Sequence, residues 1–87
     1  DKVILSLSSY LNSNGYAVNV NSKKHLIEAR CKDKKPLHIY TGVKKFVIMT
    51  TIENAPKSKK ADRIRDMKLA YSFDMSYSSL EDIKQFM

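Results

Sequence analysis

Basic side chains are the residues of this sequence with the clearest chemistry, because they bind anions. Fourteen of the 16 lysine and arginine residues lie between Lys23 and Lys68, where five acidic residues leave a net charge of +9. The two ends of the chain together carry −2. A surface this basic attracts phosphate backbones, anionic lipid headgroups or acidic proteins. The sequence therefore indicates a class of partner without naming a substrate.

Lysine rather than arginine supplies most of this charge, since arginine occurs at Arg30, Arg63 and Arg65. Lysine offers a compact charge for phosphate contact, whereas arginine is better suited to the forked recognition of guanine. The mixture favours affinity over fine sequence reading. We therefore expect a nucleic-acid-binding domain of a regulatory or DNA-handling protein, with DNA as the favoured partner.

The positive charges group at predicted turns and along one charged segment after residue 56. Turns at hairpin tips are able to reach a groove or a phosphate backbone. We expect these side chains to converge on one exposed surface, where His38, Tyr40 and Tyr16 add base stacking if they are exposed. The predicted nucleic-acid-binding residues are Lys23, Lys24, Arg30, Lys44, Lys45, Lys57, Lys59, Lys60, Arg63 and Arg65.

Two other interpretations of the same charge stay open. In the first, an edge strand or the terminal helix pairs with another protein or a second copy, giving a protein-protein interaction or homodimerisation module without nucleic-acid binding. In the second, the enrichment in lysine, asparagine and serine reflects the base composition of the gene, and the basic surface is merely solvated.

Catalytic and metal-binding motifs are weak by comparison. His25 and His38 lie 13 residues apart on separate predicted strands, without Cys, Asp or Glu at metal-ligand spacing. The chain holds two glycines, so a glycine-rich phosphate loop is excluded. We expect no enzyme, no metal and no cofactor.

One carboxylate motif is similar to the Glu-x-Lys strand of metal-dependent nucleases, namely Glu28 followed by Arg30 after one residue. Such sites need a second carboxylate shortly before, and none lies between Asp1 and Glu28. A cross-strand ion pair on an exposed face is the favoured interpretation. Asp62 and Asp66 are likewise interpreted as partners of nearby basic side chains.

Length and composition predict a single small basic domain over residues 1–87. The apolar runs are far shorter than the ~18 residues needed to cross a bilayer, so we expect no membrane insertion. The single cysteine, Cys31, cannot form an internal disulfide, which fits a reducing compartment and a cytoplasmic location. Because the chain begins with Asp1 and its last helical pattern runs into Met87, we also expect a domain of a longer protein.

The first elements follow from apolar periodicity. Apolar side chains at helical spacing predict a helix from about Lys2 to Ser13, ended by Asn14-Gly15. The runs YAVNV and HLIEARC, joined by a polar turn, predict a first β-hairpin, and PLHIYTG and KFVIMTT predict a second. Cys31 falls on the apolar face of its strand, so we expect it to pack inward.

The charged segment from residue 53 to 68 is either a basic loop or a short surface helix. We favour a helix that is capped by Ser58, begins near Lys59 and has Ala61, Ile64 and Met67 as its apolar side. A loop without structure would be unusual in so small a domain.

The end of the chain predicts one more strand and one more helix. The alternating run LAYSFDMSY predicts a final strand whose packed face extends from Leu69 to Tyr77. The run SSLEDIKQFM predicts a C-terminal helix with Ser78 and Glu81 as a capping box. The fold class is therefore α+β, with an N-terminal helix, antiparallel β-hairpins, a short basic helix or loop, a final strand and a C-terminal helix.

The run LNSNGYAVNVNSKKHLIEAR is followed along the chain by LHIYT, by KKFVIMTT and by a strand that passes into a terminal helix. In this order of elements, this part of the chain resembles the C-terminal double-wing domain of the MotA family of phage middle-promoter activators. The charged stretch APKSKKADRIRDMK departs from that family's pattern. The final strand and helix are also similar to the C-terminal module of a predicted-transport family found beside nuclease domains. The MotA-type domain binds DNA with a strand-rich saddle, so the resemblance implies contacts from wing-like hairpins at Lys23, Lys24, Arg30, Lys44 and Lys45.

Overall fold

The described part of the chain forms six strands and two helices. The computed structural model describes residues 2–57 and 60–87. The predicted α+β class is confirmed, with more strand than helix, and none of the helices described is long and apolar enough to cross a membrane. The elements are helix α1 (Lys2–Ser13), strands β1 (Ala17–Asn21), β2 (Leu26–Cys31), β3 (Lys34–Thr41), β4 (Lys45–Thr51), β5 (Arg63–Arg65) and β6 (Lys68–Asp74), and a C-terminal 3₁₀ helix (Tyr77–Phe86).

The strands form one antiparallel sheet in the order β1-β2-β3-β4-β6-β5. Residues paired across neighbouring strands share a face of the sheet, because side chains alternate along each strand. One such row runs from Ile27 through Ile39 and Ile48 to Tyr71. Each of these four side chains is at most 1% exposed. We call this side of the sheet the covered face.

Helix α1 forms over the predicted residues, which confirms the helical spacing of its apolar side chains. Val3, Leu7 and Leu11 are buried. The helix ends where Gly15 adopts a φ of +88°, a left-handed conformation that glycine enters without steric cost. The amide of Tyr16 then donates to the Leu11 carbonyl at 3.0 Å, which turns the chain into β1.

The core lies between the covered face and the two helices. Leu7 and Leu11 of α1 join Ile83 and Phe86 of the 3₁₀ helix in one buried cluster with the covered-face side chains. The Phe86 ring meets the Tyr71 ring edge-on, with 4.9 Å between centroids. Cys31 is half-buried against this cluster, as its apolar face predicted. Burial of these apolar surfaces is the main stabilising contribution to the fold.

The opposite side of the sheet, which we call the open face, has no helix packed on it in the described residues. Its central rows are His38, Met49 and Ala70, and Tyr40, Val47 and Ser72, as the strand register shows. Tyr40 is 42% exposed, whereas Val47 and Met49 are half-buried by their neighbours within the sheet. The sheet is therefore covered on one side and free on the other, as antiparallel sheets allow.

The prediction of a short helix in the charged segment is wrong over residues 60–68, the part of the predicted helix that the structure describes. Residues 63–65 form β5, which pairs with β6 through the register Arg63–Ala70 and Arg65–Lys68. The two residues between the strands, Asp66 and Met67, have φ values of +50° and +67°. This combination is typical of a two-residue hairpin turn. The predicted cap Ser58 and the predicted helix start at Lys59 lie outside the described residues.

The predicted packed face of the final strand and the predicted capping box are wrong at the C-terminal end. Tyr77 is 56% exposed and begins the 3₁₀ helix, because β6 already ends at Asp74. The N-cap residue of this helix is Ser76, and it makes no side-chain hydrogen bond to the helix backbone. Ser78 instead lies with its hydroxyl 2.9 Å from that of Ser76. The apolar spacing therefore predicted the presence of the C-terminal helix correctly, but the capping-box pattern predicted the wrong N-cap residue.

Candidate nucleic-acid interface

Four of the predicted lysines come together at one end of the sheet, which we call the turn edge: Lys23, Lys24, Lys44 and Lys45. The first two lie on the turn between β1 and β2, and the second two lie at the turn between β3 and β4. Both turns lie at the same end because the four strands are consecutive neighbours in an antiparallel sheet. Two strand spacings separate the turns, which places them about 10 Å apart.

Hydrogen bonds hold the two turns in fixed relation to each other and to β6. The amide of Thr41 donates to the His25 carbonyl at 2.8 Å, and the Thr41 hydroxyl lies 3.2 Å from the same oxygen. On the other side, the amide of Met75 donates to the Lys44 carbonyl at 2.8 Å. The backbone that carries these lysines is therefore ordered before any ligand arrives.

Gly42 explains why the second turn is so tight. Its amide donates to the Lys45 carbonyl at 2.8 Å, and a Cβ atom at this position would meet that same oxygen at 2.9 Å. A side chain at position 42 would therefore push Lys45 and the start of β4 away. Gly42 therefore keeps the connection between β3 and β4 tight.

The turn edge is strongly positive because its lysines are exposed and unneutralised. All four side chains are exposed. Within residues 2–57 and 60–87, no carboxylate lies within 4.0 Å of their ammonium groups. Asp74 is the acidic neighbour, since it pairs with Lys45 across β4 and β6. Four cations beside one carboxylate make this edge suited to a polyanion.

The other predicted contact residues do not join the turn edge. Arg30 lies near the end of β2 that is opposite the turn edge, and Arg63 and Arg65 lie on the edge strand β5. Lys57 and Lys60 are exposed in the connection between β4 and β5, and Lys59 lies outside the described residues. The positive charge is thus divided among several parts of the surface instead of forming one patch.

The acidic residues near these cations have local roles. The Arg30 guanidinium lies 3.5 Å from Glu28 Oε2, so the predicted ion pair forms within one strand and not across strands. Its cation is 70% exposed, and such a pair contributes little to stability. Asp62 accepts a hydrogen bond from the Ser72 amide at 2.7 Å, which fixes the start of β5 against β6.

A groove crosses the open face beside Met49, which lies in the central row of that face. The groove encloses about 220 Å³ and is lined by apolar side chains on its floor and by Arg63 and Lys68 at its rim. A smaller depression of about 120 Å³ continues on the far side of Met49, where His38 lines it. The residues lining the larger groove are Val47, Met49, Arg63, Lys68, Ala70 and Ser72.

The three aromatic residues predicted to stack on bases are placed differently. Tyr16 is wrong as a stacking residue, because it is 3% exposed and belongs to the core. Tyr40 is exposed on the open face, and His38 is half-buried two residues earlier on the same strand and face. Tyr40 therefore remains a candidate for base stacking, and His38 is partly accessible beside it.

The apolar floor of the groove was not predicted from the sequence. Its signal is in the run KFVIMTT, where Phe46 and Ile48 occupy one face of β4 while Val47 and Met49 occupy the other. A strand that is apolar on both faces indicates either two covered faces or one face that binds something.

The described parts of the chain contain no group of three or more His, Cys, Asp or Glu side chains that could hold a metal ion.

Comparison of the chain with protein-family models, with curated proteins and with solved structures found no match. Function is therefore inferred from the geometry of the turn edge and the open face.

Proposed function

We propose that this domain binds nucleic acid, with DNA as the favoured partner, through phosphate contacts from the turn edge. The observation that supports this most is the placement of Lys23, Lys24, Lys44 and Lys45 on two adjacent, hydrogen-bonded turns. Turns as short as these hold their backbone in place, so binding costs chiefly the ordering of the lysine side chains.

Charge neutralisation is the first step of the proposed mechanism. Each lysine that contacts a phosphate releases condensed counterions, so affinity falls with salt at a slope of about −0.9 per contact on duplex DNA. Four contacts give a slope of about −3.6, which corresponds to a loss of about 100-fold between about 50 and about 200 mM salt. Such contacts position the ligand without reading its sequence.

The experiment is a fluorescence-anisotropy titration of a generic duplex at these two salt concentrations. The test variant replaces Lys23, Lys24, Lys44 and Lys45 with glutamine. We expect its slope against salt to be smaller than that of the wild type by about 3 to 4. A matched control with the same loss of charge, but at exposed positions outside the turn edge, replaces Lys32, Lys34, Lys35 and Lys57 with glutamine.

The proposal fails if the wild type binds neither this duplex nor either of its separated strands at about 50 mM salt. It also fails if the turn-edge variant and the control variant lose the same affinity and the same slope, because the contribution would then come from net charge and not from the turn edge. Thermal unfolding of all three proteins checks that the fold is intact.

A second candidate function is a protein interaction at the sheet edge. Strand β1 lies at the edge of the sheet, where it pairs with β2, and its residue Val20 is 52% exposed. The other side of such a strand offers backbone groups to an added strand. A stable dimer in light scattering, without affinity for any nucleic acid, would favour this function, and a monomer that binds the duplex would exclude its homodimeric form.

A further inference from the structure

The open face has the composition of a ligand surface and not that of a solvated sheet. Its middle combines Tyr40, Val47 and Met49 with Ala70, which is 8% exposed although no helix covers it in the described residues. The side chains of the covered face and the helices already form the core, so the apolar side chains of the open face are not needed to complete the core. Apolar residues on a free sheet face, arranged around a groove, typically mark a binding surface.

The position of Tyr40 connects this surface to the turn edge. Tyr40 pairs with Leu26 on one side and with Val47 on the other, so it shares the open face with two aliphatic neighbours. It precedes the β3–β4 turn by one residue, and Lys45 lies on the same face two residues before Val47. Lys45 is the diagonal neighbour of Tyr40, because Val47 lies about 7 Å from Lys45 along β4 and one strand spacing of about 5 Å from Tyr40. A phosphate held by Lys45 would therefore lie close to a base stacked on Tyr40.

Positive charge also borders the far side of the groove. Arg63 and Lys68 line its rim, on strands β5 and β6. Glu28, an acid of the same face, lies on β2 away from the groove and pairs with Arg30. At the near end, Asp74 lies opposite Lys45 but forms no ion pair with it in the described residues. The groove is therefore apolar on its floor and basic at its far end, with the lysines of the turn edge beyond its near end, which complements a chain of bases joined by phosphates.

We propose that the open face binds unpaired bases of a single-stranded nucleic acid, with one base stacked on Tyr40 and the strand running over the groove toward Arg63 and Lys68. This inference rests on the proposed function and deepens it, because it names the single strand as the ligand. A duplex hides the faces of its bases in its own stack, whereas unpaired bases present them to aromatic and apolar side chains. Lys45 at the turn edge would hold the backbone on the near side.

The test compares a short oligothymidylate, an oligouridylate of equal length and the duplex of the first strand, each titrated by anisotropy at about 50 mM salt. Tyr40→Ala should lower single-strand affinity about tenfold and leave duplex affinity within about twofold. Tyr40→Phe should retain most of the affinity, because it keeps the ring. Tyr77→Ala is the matched control, since Tyr77 is 56% exposed but lies on the 3₁₀ helix, and it should bind like the wild type.

The outcomes separate this inference from the proposed function. If the wild type binds the duplex with a steep salt dependence and Tyr40→Ala binds single strands as the wild type does, the inference is overturned while the proposed function stands. If no nucleic acid binds, both are overturned. An affinity for either single strand that falls about tenfold in Tyr40→Ala supports the inference.

A second copy of the chain is the competing occupant of the open face. Light scattering of the wild type and of Tyr40→Ala decides between them. A wild-type dimer that Tyr40→Ala converts to a monomer, with unchanged nucleic-acid affinity, would overturn the inference. A monomer in both cases, with the tenfold loss of single-strand affinity, would support it.

Discussion

The two faces of the sheet consist of alternate residues of the same strands, yet they differ in what their side chains touch. On the covered face, Ile39 and Ile48 are fully buried beneath the helices. On the open face, Tyr40 and Val47 lie directly beside them in sequence and remain accessible. The comparison teaches that an apolar side chain on one face stabilises the fold, whereas a similar side chain one residue away is available for a ligand.

The largest expected effect is a difference in stability between neighbouring residues of β4. Ile48→Ala should lower the free energy of unfolding by about 2 to 5 kcal/mol, because it removes buried methyl groups and leaves a cavity. Val47→Ala should lower it by less than about 1 kcal/mol, because Val47 is half-buried on the free face. Denaturant unfolding measures both. Equal losses would mean that the open face is covered and that the comparison is wrong.

A smaller effect on stability is expected from substitution of Thr50, whose hydroxyl lies on the covered face. Its side chain is buried, and its Oγ1 has no hydrogen-bond partner among the described residues. Thr50→Val keeps the branched shape and removes the unsatisfied oxygen, so it should raise the free energy of unfolding by about 1 kcal/mol.

Thr41→Val is the matched control, because the Thr41 hydroxyl donates a hydrogen bond to the His25 carbonyl at 3.2 Å, and the substitution removes this bond. It should lower the free energy of unfolding by about 1 kcal/mol. If both valine variants change stability in the same direction, hydrogen bonding does not account for the difference between the two threonines.

The smallest effect concerns Tyr16 and alkaline pH. Burial raises the pKa of the Tyr16 phenol above its usual value of 10.0, and the charge of Cys31 adds to this. The folded state therefore favours the neutral phenol, and the unfolded state loses its proton first as pH rises, so stability is present below pH 10.0 and is lost as pH rises above it.

Tyr16→Phe should reduce this loss, as followed by denaturant unfolding at several pH values. The decrease that remains in the variant is expected from Tyr71, whose pKa is also raised by burial and by Asp62. At neutral pH the variant should be unchanged or slightly more stable, since the phenol oxygen is buried without a partner in the described structure. An unaltered alkaline decrease would contradict this account of Tyr16.

Much of the fold could be predicted from the sequence because its signals are local. The helix over residues 2–13 and the first four strands follow from apolar spacing and from the turn residues between them. Strand β5 could not be predicted, since three residues are too few to show a period and the spacing of Ala61, Ile64 and Met67 fits a helix equally well. Its turn uses Asp66 and Met67 at positive φ, without the glycine that usually signals such a hairpin.

The candidate site could be predicted in part for the same reason. Lys23, Lys24, Lys44 and Lys45 were found because charge at predicted turns is visible in the sequence. Their joint position depends on strand order, and the accessibility of Val47 and Met49 depends on which face the helices cover. Neither is encoded in residue spacing, because alternation shows that two faces exist but not which of them is free.

The most direct measurement of the central claim is a methyl chemical-shift titration with a short oligothymidylate. The account predicts that the methyl signals of Val47 and Met49 shift together with the amides of the turn-edge lysines, while those of Ile39 and Ile48 on the covered face remain nearly unchanged. Shifts confined to α1 and the 3₁₀ helix, with Val47, Met49 and the turn edge unaffected, would contradict it.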